Sequence, residues 1–220
     1  KRQAKQDFTY IFVTDKITES CLFESAYANN VIAPLHLYSE NSDSLFEEDK
    51  STNFTDNFKA YQKEHLSGFS DEQIFFYMYG LLYAPSYRTR YNEFLKTDFP
   101  RIDFGYDITT ISKLGEELTQ LHLLTHPIFE EQDQWGLHVN GKECTIHFAR
   151  KADIYKDGKL YLNEKTYISG VSEEVFKFMI GGYQVLDKWL SDRKNTKLSI
   201  DELMHYLKII VSLKETIRVM

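Results

Sequence analysis

Residues 70–104 carry the feature that most constrains the fold, which is a pair of helix signals separated by a proline. Ser70 can cap a helix, and Gln73 completes a capping box three residues later. The residues that follow are apolar on nearly every side of the helix, which is typical of a buried helix. The first helix should end at Ala84, because the residue before a proline avoids helical backbone angles.

A second helix is predicted to begin at Pro85, where the missing N–H costs nothing. Apolar side chains recur at helical spacing along it, and two basic side chains fall off that stripe. The stripe consists of Tyr87, Tyr91, Phe94 and Leu95, and the two basic residues are Arg88 and Lys96. The segment then ends in Phe99-Pro100-Arg101-Ile102.

The rest of the chain alternates between strand and helix signals. β-branched and aromatic residues predict strands at 8–13, 31–38, 145–168 and 175–180. Asp157-Gly158 and Asn140-Gly141 each predict a hairpin turn. Further helices are predicted near 58–66, 107–126, 183–195 and 199–217. The predicted fold class is α+β (mixed α/β), with strands and hairpins packed against about five helices.

Three local features refine this prediction. Residues 39–57 are polar and acidic, which indicates a flexible surface loop. Gly115 lies inside a predicted helix, where glycine costs about 1 kcal/mol relative to alanine, so it should mark close packing. Ser199 and Glu202 form a second capping box at the start of the last helix.

Composition limits the class of protein. The 220 residues suit one large domain or two small ones, and 42% hydrophobic content excludes a disordered chain. No apolar run approaches the roughly 20 residues that span a bilayer. Two cysteines far apart favour a reducing cytoplasm. The first residue is Lys1 rather than Met, which leads us to expect a fragment of a longer protein.

The net charge of −7 argues against a simple nucleic-acid binder, but the charge is segregated along the chain. Residues 40–58 and 105–135 each hold six acidic residues and one lysine. Residues 138–165 hold six basic and four acidic residues, and residues 187–197 hold four and two. Such segregation is typical of a protein with one face toward phosphates, and equally of ordinary solvated charge.

No catalytic motif is visible. The chain lacks the glycine-rich turn and the Asn/Asp-Pro-Pro-Tyr/Phe motif of an adenine methyltransferase, and it lacks a Walker A sequence. Gly181-Gly182 reads as a strand-to-helix turn. His122 and His126 share a helix face but have no third ligand, and Cys144 with His147 has no orienting partner. We therefore expect no catalytic, cofactor or metal site within these residues.

Two segments resemble the C-terminal specificity domain of type ISP restriction–modification enzymes. In the first, Tyr83, Ala84 and Asp103 stand where the family has His, Ser and Pro. The matching residues of the first segment are Pro85, Tyr87, Arg88, Tyr91, Phe94, Leu95, Phe99, Pro100, Arg101 and Ile102. Those of the second are Gly181, Gly182, Tyr183, Val185, Leu186, Lys188, Trp189, Leu190, Asp192, Arg193 and Lys194.

The resemblance covers nearly the whole chain and implies a function. It implies that residues 1–220 form the DNA target-recognition domain of a bacterial enzyme in which a nuclease, a helicase-like motor and an adenine-N6 methyltransferase precede it. Duplex DNA and those upstream domains would be its partners. S-adenosylmethionine, ATP and Mg²⁺ would bind the full-length protein, and the domain alone would have no activity.

Three sets of basic residues are the candidate DNA contacts. Base readout is predicted for the loops and hairpin of residues 136–165, because a two-stranded ribbon fits the major groove. Residues of the resembling segments are candidates too, although residues common to enzymes with different targets are expected to hold the scaffold or contact the DNA backbone rather than to read bases. The sets are Lys142, Arg150, Lys151, Lys156 and Lys159; Arg88, Arg90 and Arg101; and Lys188, Arg193 and Lys194, which are expected to contact phosphates or form a solvated helix end.

A second function class remains open. The acidic stretches and the 15% aromatic content also suit a docking domain that packs against sister domains and never touches DNA.

Overall fold

The computed structural model describes residues 8, 11–18, 32–38, 50–148, 153–180 and 182–220. The chain divides into two compact units, so the structure has the two smaller cores that its length permits. Thr14–Thr119 form the bulk of unit 1, and Gln120–Met220 form the bulk of unit 2. No helix in these described ranges combines the length and apolar character needed to cross a membrane.

Unit 1 is mainly helical. A short antiparallel pair, β1 (His36–Tyr38) and β2 (Lys50–Thr52), precedes its helices. The helices are α1 (Asp56–His65), α2 (Asp71–Tyr83), α3 (Pro85–Arg90), α4 (Asn92–Thr97) and most of α5 (Ile108–His122).

Helix α2 forms the core of unit 1, as the sequence predicts. Its capping box is complete, since the Ser70 side chain accepts from the Gln73 backbone and the Gln73 side chain accepts from the Ser70 backbone. Ile74 and Tyr77 are fully buried, and Tyr77 donates its hydroxyl to the Asp103 carbonyl. The helix ends at Tyr83, directly before the Ala84-Pro85 junction.

The predicted second helix is divided into α3 and α4. Tyr91 leaves helical geometry with φ −106° and ψ 15°, so each half has only six residues. Tyr87 and Leu95 are buried as predicted, but Phe94 is 72% exposed. Because the helix is interrupted at Tyr91, the apolar stripe does not continue along one face.

Helices α2 and α5 approach so closely that their facing glycines have no room for a side chain. A Cβ on Gly80 would lie 2.7 Å from the Ile111 carbonyl oxygen, and a Cβ on Gly115 would overlap the Phe76 carbonyl. Ser112 adds a hydrogen bond from its hydroxyl to the Gln73 carbonyl at 2.9 Å. The close packing predicted at Gly115 is therefore confirmed.

Unit 2 combines a small sheet with helices. Single 3₁₀ turns at Pro127–Glu130 and Gln132–Gln134 lead to the strands β3 (His138–Asn140), β4 (Tyr155–Lys156), β5 (Lys159–Tyr161) and β6 (Tyr167–Ser169). These strands form an antiparallel sheet in the order β3-β6-β5-β4. The remaining elements are α6 (Glu173–Phe176), the hairpin of β7 (Met179–Ile180) and β8 (Tyr183–Gln184), α7 (Val185–Ser191) and α8 (Ile200–Val219).

The last helix anchors the core of unit 2. Its capping box at Ser199 and Glu202 is formed as predicted. Tyr206 is fully buried, stacks on Trp189 with ring centroids 4.4 Å apart, and donates to the Leu186 carbonyl at 3.1 Å. Ser212 donates to the Leu121 carbonyl at 2.9 Å. The strands contribute Leu160 and Ile168 to the same core.

Several predicted elements differ from the structure. The strand at 8–13 is absent from the described residues 8 and 11–13, and the strand at 31–38 is limited to β1. In the predicted loop 39–57, residues 39–49 lie outside the described ranges, but residues 50–52 form β2 because they pair with β1. Helix α1 also begins within it, where Thr55 accepts from the Phe58 backbone.

Two further predictions in unit 2 were wrong. The predicted strand 175–180 begins as helix α6, because Ser172 caps it by accepting from the Val175 backbone at 3.2 Å. The Asn140-Gly141 pair does not close a hairpin, since β3 pairs with the distant strand β6.

The described residues contain α1–α8, several of them very short, where about five helices were predicted.

Replacing Gly115 by alanine should destabilise unit 1 by about 1–3 kcal/mol, because the added methyl overpacks the α2–α5 contact. Helix propensity alone would change stability by about 1 kcal/mol in the opposite direction. Urea unfolding of Gly115→Ala measures the difference. Gly68→Ala is the matched control, since a Cβ there meets nothing within 4 Å. A stabilised Gly115→Ala variant would contradict the close packing.

Tyr77 makes unit 1 sensitive to alkaline pH. Burial, with Asp103 nearby, raises the pKa of Tyr77 from 10.0 to about 12. The unfolded chain therefore loses this proton first, and stability falls as the pH rises from about 10 to 12. At pH 8, Tyr77→Phe should be less stable by about 1 kcal/mol through its lost hydrogen bond, and this deficit should shrink by pH 11. Chemical unfolding at the two pH values checks this, and a constant deficit would contradict it.

Candidate nucleic-acid interface

The sheet of unit 2 aligns several predicted contact residues in one row. Lys156 lies directly opposite Lys159, Lys159 opposite Ser169, and Ser169 opposite His138. Directly opposite residues of antiparallel strands project from the same face of a sheet. The row therefore crosses all four strands on one face.

The neighbouring row identifies which face this is. Leu160 and Ile168 are opposite each other and fully buried, so they project into the core of unit 2. Side chains alternate between faces along a strand, and the lysine row must project away from that core. Tyr161, Tyr167 and Asn140 form the third row and share its face. We call these seven residues the outer sheet face: His138, Asn140, Lys156, Lys159, Tyr161, Tyr167 and Ser169.

The outer sheet face combines cationic, aromatic and hydrogen-bonding groups. The Lys159 ammonium lies 4.9 Å from the centre of the Tyr167 ring, and the rings of Tyr161 and Tyr167 are 5.4 Å apart. The Asn140 amide donates to the Ser169 hydroxyl at 3.2 Å. The face contains two lysines and no carboxylate among these seven side chains, which gives it a local positive charge in an acidic chain.

The turns on both sides of β5 hold this face in register. Asp157 and Gly158 have φ of 52° and 74°, which is the type I′ geometry that the sequence predicts. Lys156 on the edge strand β4 and Lys159 on β5 flank that turn. After β5, the Asn163 side-chain oxygen accepts from the backbones of Lys165 and Thr166 at 2.9 Å each. The Asn163 amide donates to the carbonyls of Glu143 and Thr145 at 2.8 Å each.

The other predicted residues of this region have separate positions. Lys142 is exposed just beyond β3. Arg150 and Lys151 lie outside the described residues, so their predicted roles stay predictions.

The basic residues at the end of α7 form a second group in unit 2. The Arg193 guanidinium lies 3.9 Å from the centre of the Trp189 ring, and the Lys194 ammonium lies 5.2 Å from that of Phe148. Lys188 is paired with Asp192 at 2.5 Å, so its charge is largely balanced within the helix. Of the three predicted phosphate contacts here, Lys188 and Lys194 are exposed and Arg193 is partly buried.

Backbone pairing fixes the position of this second group. Asn195 donates to the Ile146 carbonyl at 2.7 Å, and Leu198 donates to the Cys144 carbonyl at 3.0 Å. The His147 ring lies 3.2 Å from the Asn195 amide oxygen. The turn after α7 is therefore attached to residues 144–147, which places Lys194 near Phe148.

Arg88 of unit 1 has a structural position. Its Nε donates to the Leu82 carbonyl at 2.8 Å, and its guanidinium lies 4.4 Å from the centre of the Tyr83 ring. Burial lowers the pKa of Arg88, although its aromatic neighbours oppose the shift. These contacts favour the scaffold role over DNA contact.

Arg90 and Arg101 of unit 1 are exposed. Arg90 donates to the Tyr106 hydroxyl at 3.1 Å. The Arg101 side chain is 92% exposed, and its guanidinium is 3.8 Å from the Asp98 carboxylate. Both arginines therefore remain accessible, but each already has a polar neighbour.

The two histidines considered as metal ligands have other partners. His122 lies 2.9 Å from the Thr216 hydroxyl, and the His126 ring accepts from the Ile128 backbone at 3.2 Å. Within the described ranges, no three His, Cys, Asp or Glu side chains are grouped so as to hold a metal ion.

Sequence reasoning found the two lysines of the outer sheet face but missed His138, Asn140, Tyr161, Tyr167 and Ser169. The sequence signal for the residues in 159–161 and 167–169 is the alternation of side chains between the two faces of a strand. It places Leu160 and Ile168 on one face and their neighbours on the other. The cross-strand partners were not available from the sequence, because β3 pairs with a strand nearly 30 residues away.

Comparison with known structures shows a similar fold. The chain is 20% identical to the ATP-dependent type ISP restriction–modification enzyme LlaBIII bound to DNA, with a TM-score of 0.62 over 84% of this chain and 13% of that one. It is 22% identical to a protein in the DrdV–DNA complex, with a TM-score of 0.63 over 84% of this chain and 21% of that one.

A nuclease-deletion mutant of the type ISP enzyme LlaGI, in complex with a DNA substrate mimic, is 17% identical, with a TM-score of 0.52 over 78% of this chain and 14% of that one. This chain thus spans about a fifth or less of the length of these proteins. A comparison with curated proteins finds no match.

A family sequence model supplies the assignment that the structures alone do not. The model of the type ISP C-terminal specificity domain matches residues 1–220. It includes both units, the outer sheet face and the segment around Arg88 and Arg101. The chain therefore belongs to the type ISP C-terminal specificity domain family.

Proposed function

We propose that this chain is the domain that recognises the DNA target sequence of a bacterial type ISP restriction–modification enzyme. The observation that carries the proposal is the outer sheet face, where Lys156 and Lys159 lie in one row with His138 and Ser169. Membership of a family of specificity domains supports it. The solved relatives are described as bound to DNA or to a DNA substrate mimic, which agrees with it.

The β4–β5 hairpin has a shape that suits the major groove. A groove about 12 Å wide accepts a two-stranded ribbon, and neighbouring strands are about 4.8 Å apart. Lys156, on the edge strand β4, and Lys159, on β5, flank the turn of this hairpin, and β6 lies beside them in the same sheet.

The roles of the side chains follow from their chemistry. Lysines neutralise phosphates as point charges, which gives affinity and register but no sequence information. Asn140, His138 and Ser169 carry the donors and acceptors that read base edges. The rings of Tyr161 and Tyr167 offer apolar surface to a thymine methyl group. Lys194 and Arg193 extend the phosphate contacts from the second basic group of unit 2.

In this role the domain carries out no chemical step of its own. It positions duplex DNA for a methyltransferase, a helicase-like motor and a nuclease in the preceding part of the enzyme, in the bacterial cytoplasm. S-adenosylmethionine, ATP and Mg²⁺ would bind there, and no residue of this chain is assigned to them.

DNA binding by this chain should be salt-sensitive, and part of the sensitivity should come from two lysines. The slope of log K against log salt is negative, and each lost phosphate contact reduces its magnitude by about 1. The double variant Lys156→Gln/Lys159→Gln should therefore have a slope that is shallower by about 2. Fluorescence anisotropy with duplex DNA at several salt concentrations measures the slope. Lys63→Gln/Lys113→Gln, which removes two exposed lysines of unit 1, is the control of equal charge. Equal slopes for all three proteins would contradict the assignment.

A docking domain that never touches DNA is the second candidate, because unit 1 exposes Phe94 and Phe99. Reversing the charges of Lys151, Lys156 and Lys159 to glutamate separates the two. Target recognition requires these charges only in the DNA-binding case. Each glutamate would repel the phosphate that the lysine attracts, so we expect site-specific methylation by the variant enzyme to fall by roughly 100-fold or more. Unchanged methylation would favour the docking domain.

A further inference from the structure

Unit 1 contains an open cavity that the proposed DNA contacts do not use. Its volume is about 270 Å³, and it is formed by α3, α4 and the segment that follows them. Tyr87, Tyr91, Phe94, Leu95, Phe99 and Ile102 provide its apolar lining. We call it the Phe94/Phe99 pocket.

The rim of this pocket exposes two large apolar side chains. Phe94 is 72% exposed and Phe99 is 78% exposed, only five residues apart. Single exposed apolar residues are common on protein surfaces, but a pair that borders an apolar cavity is typical of an interaction site. The pocket is slightly smaller than the range of about 300–1,000 Å³ found for small-molecule sites, and suits one large side chain of a partner.

Internal hydrogen bonds hold the pocket in shape. The Tyr87 hydroxyl donates to the Arg101 carbonyl at 2.7 Å, and the Tyr77 hydroxyl donates to the Asp103 carbonyl. The Phe99 backbone donates to the Asp98 carboxylate at 2.8 Å. These bonds position the backbone of residues 99–103 before a partner binds, and such preorganisation lowers the entropic cost of binding.

The charges around the pocket disfavour DNA as its occupant. Lys96 pairs with Glu93 at 2.6 Å, and Arg101 approaches Asp98 to 3.8 Å. Of the three charged residues that line the pocket, Asp98 and Asp103 are acidic and Arg101 is basic, so the lining carries one carboxylate in excess. Phosphates require uncompensated cations, whereas an apolar pocket with an acidic rim is complementary to a polypeptide that carries a basic residue beside a large apolar one.

We propose that the Phe94/Phe99 pocket docks a polypeptide segment from the part of the enzyme that precedes this domain. That segment inserts a large apolar side chain, and an adjacent lysine or arginine pairs with Asp98 or Asp103. The matched region covers only 13–21% of the solved relatives, so most of each of those chains lies outside it. In an enzyme of that length, a long stretch of polypeptide is available to supply the docking segment. The inference rests on the proposed place of this domain within a larger enzyme, but not on its DNA contacts.

Cysteine labelling tests the occupant directly. Arg101→Cys keeps both phenylalanines and places the thiol at a 92% exposed side chain of the pocket lining. It is alkylated with a maleimide in the 220-residue chain and in the full-length enzyme without DNA, with rates corrected for the native cysteines. We expect labelling to be about tenfold slower in the full-length enzyme, as for a pocket covered about nine-tenths of the time. Ile200→Cys, at an 81% exposed position of unit 2, controls for a general loss of accessibility.

The other possible occupants give distinct results. Equal labelling rates of Arg101→Cys in both proteins would overturn the proposal. Protection of the 220-residue chain by added duplex DNA would overturn it in favour of DNA, and protection that rises with its own concentration would do so in favour of a second copy. Anisotropy with the same 220-residue chain measures DNA binding separately, so failure of the recognition function is distinguished from failure of the docking proposal.

Discussion

The pairing of β5 with β6 is the contact on which the candidate interface depends. Leu160 opposite Ile168 supplies the buried side, so Lys159, Tyr161, Tyr167 and Ser169 must project outward. A slip of one residue would bury the lysine and expose both aliphatic side chains, at a cost of about 3–6 kcal/mol in lost burial. The type I′ turn at Asp157-Gly158 and the Asn163 side chain oppose such a slip from the two ends of β5. The same forces that fold unit 2 therefore determine its outward chemistry.

An acidic chain can bind DNA if its positive charges are grouped where the duplex lies. The outer sheet face carries two lysines, and the end of α7 adds Arg193 and Lys194 with aromatic rings behind them. The Phe94/Phe99 pocket has the opposite character, since its cations are paired with carboxylates and its lining is apolar. Because the two surfaces differ in charge and polarity, recognition of DNA and docking within an enzyme are compatible functions of different parts of one domain.

Local signals in the sequence predicted the features that depend on local chemistry. Both capping boxes, the end of the first helix before Pro85, the turn at Asp157-Gly158 and the close packing at Gly115 are confirmed. Predictions that required distant partners were less successful. The Asn140-Gly141 pair predicted a hairpin, but β3 pairs with β6, and the helix stripe through Phe94 is interrupted at Tyr91. The lysines of the site were visible as charge, whereas its tyrosines became visible only through strand register.

The most direct test of the central claim is a photo-crosslink from the outer sheet face. A photoreactive phenylalanine analogue in place of Tyr161 should crosslink to duplex DNA, and the crosslink should weaken as salt is raised, because phosphate contacts release counterions. The same analogue in place of Tyr61, an exposed tyrosine of unit 1, serves as the comparison. The account predicts a crosslink from position 161 that exceeds the one from position 61. A protein that binds the duplex but crosslinks only from position 61 would contradict it.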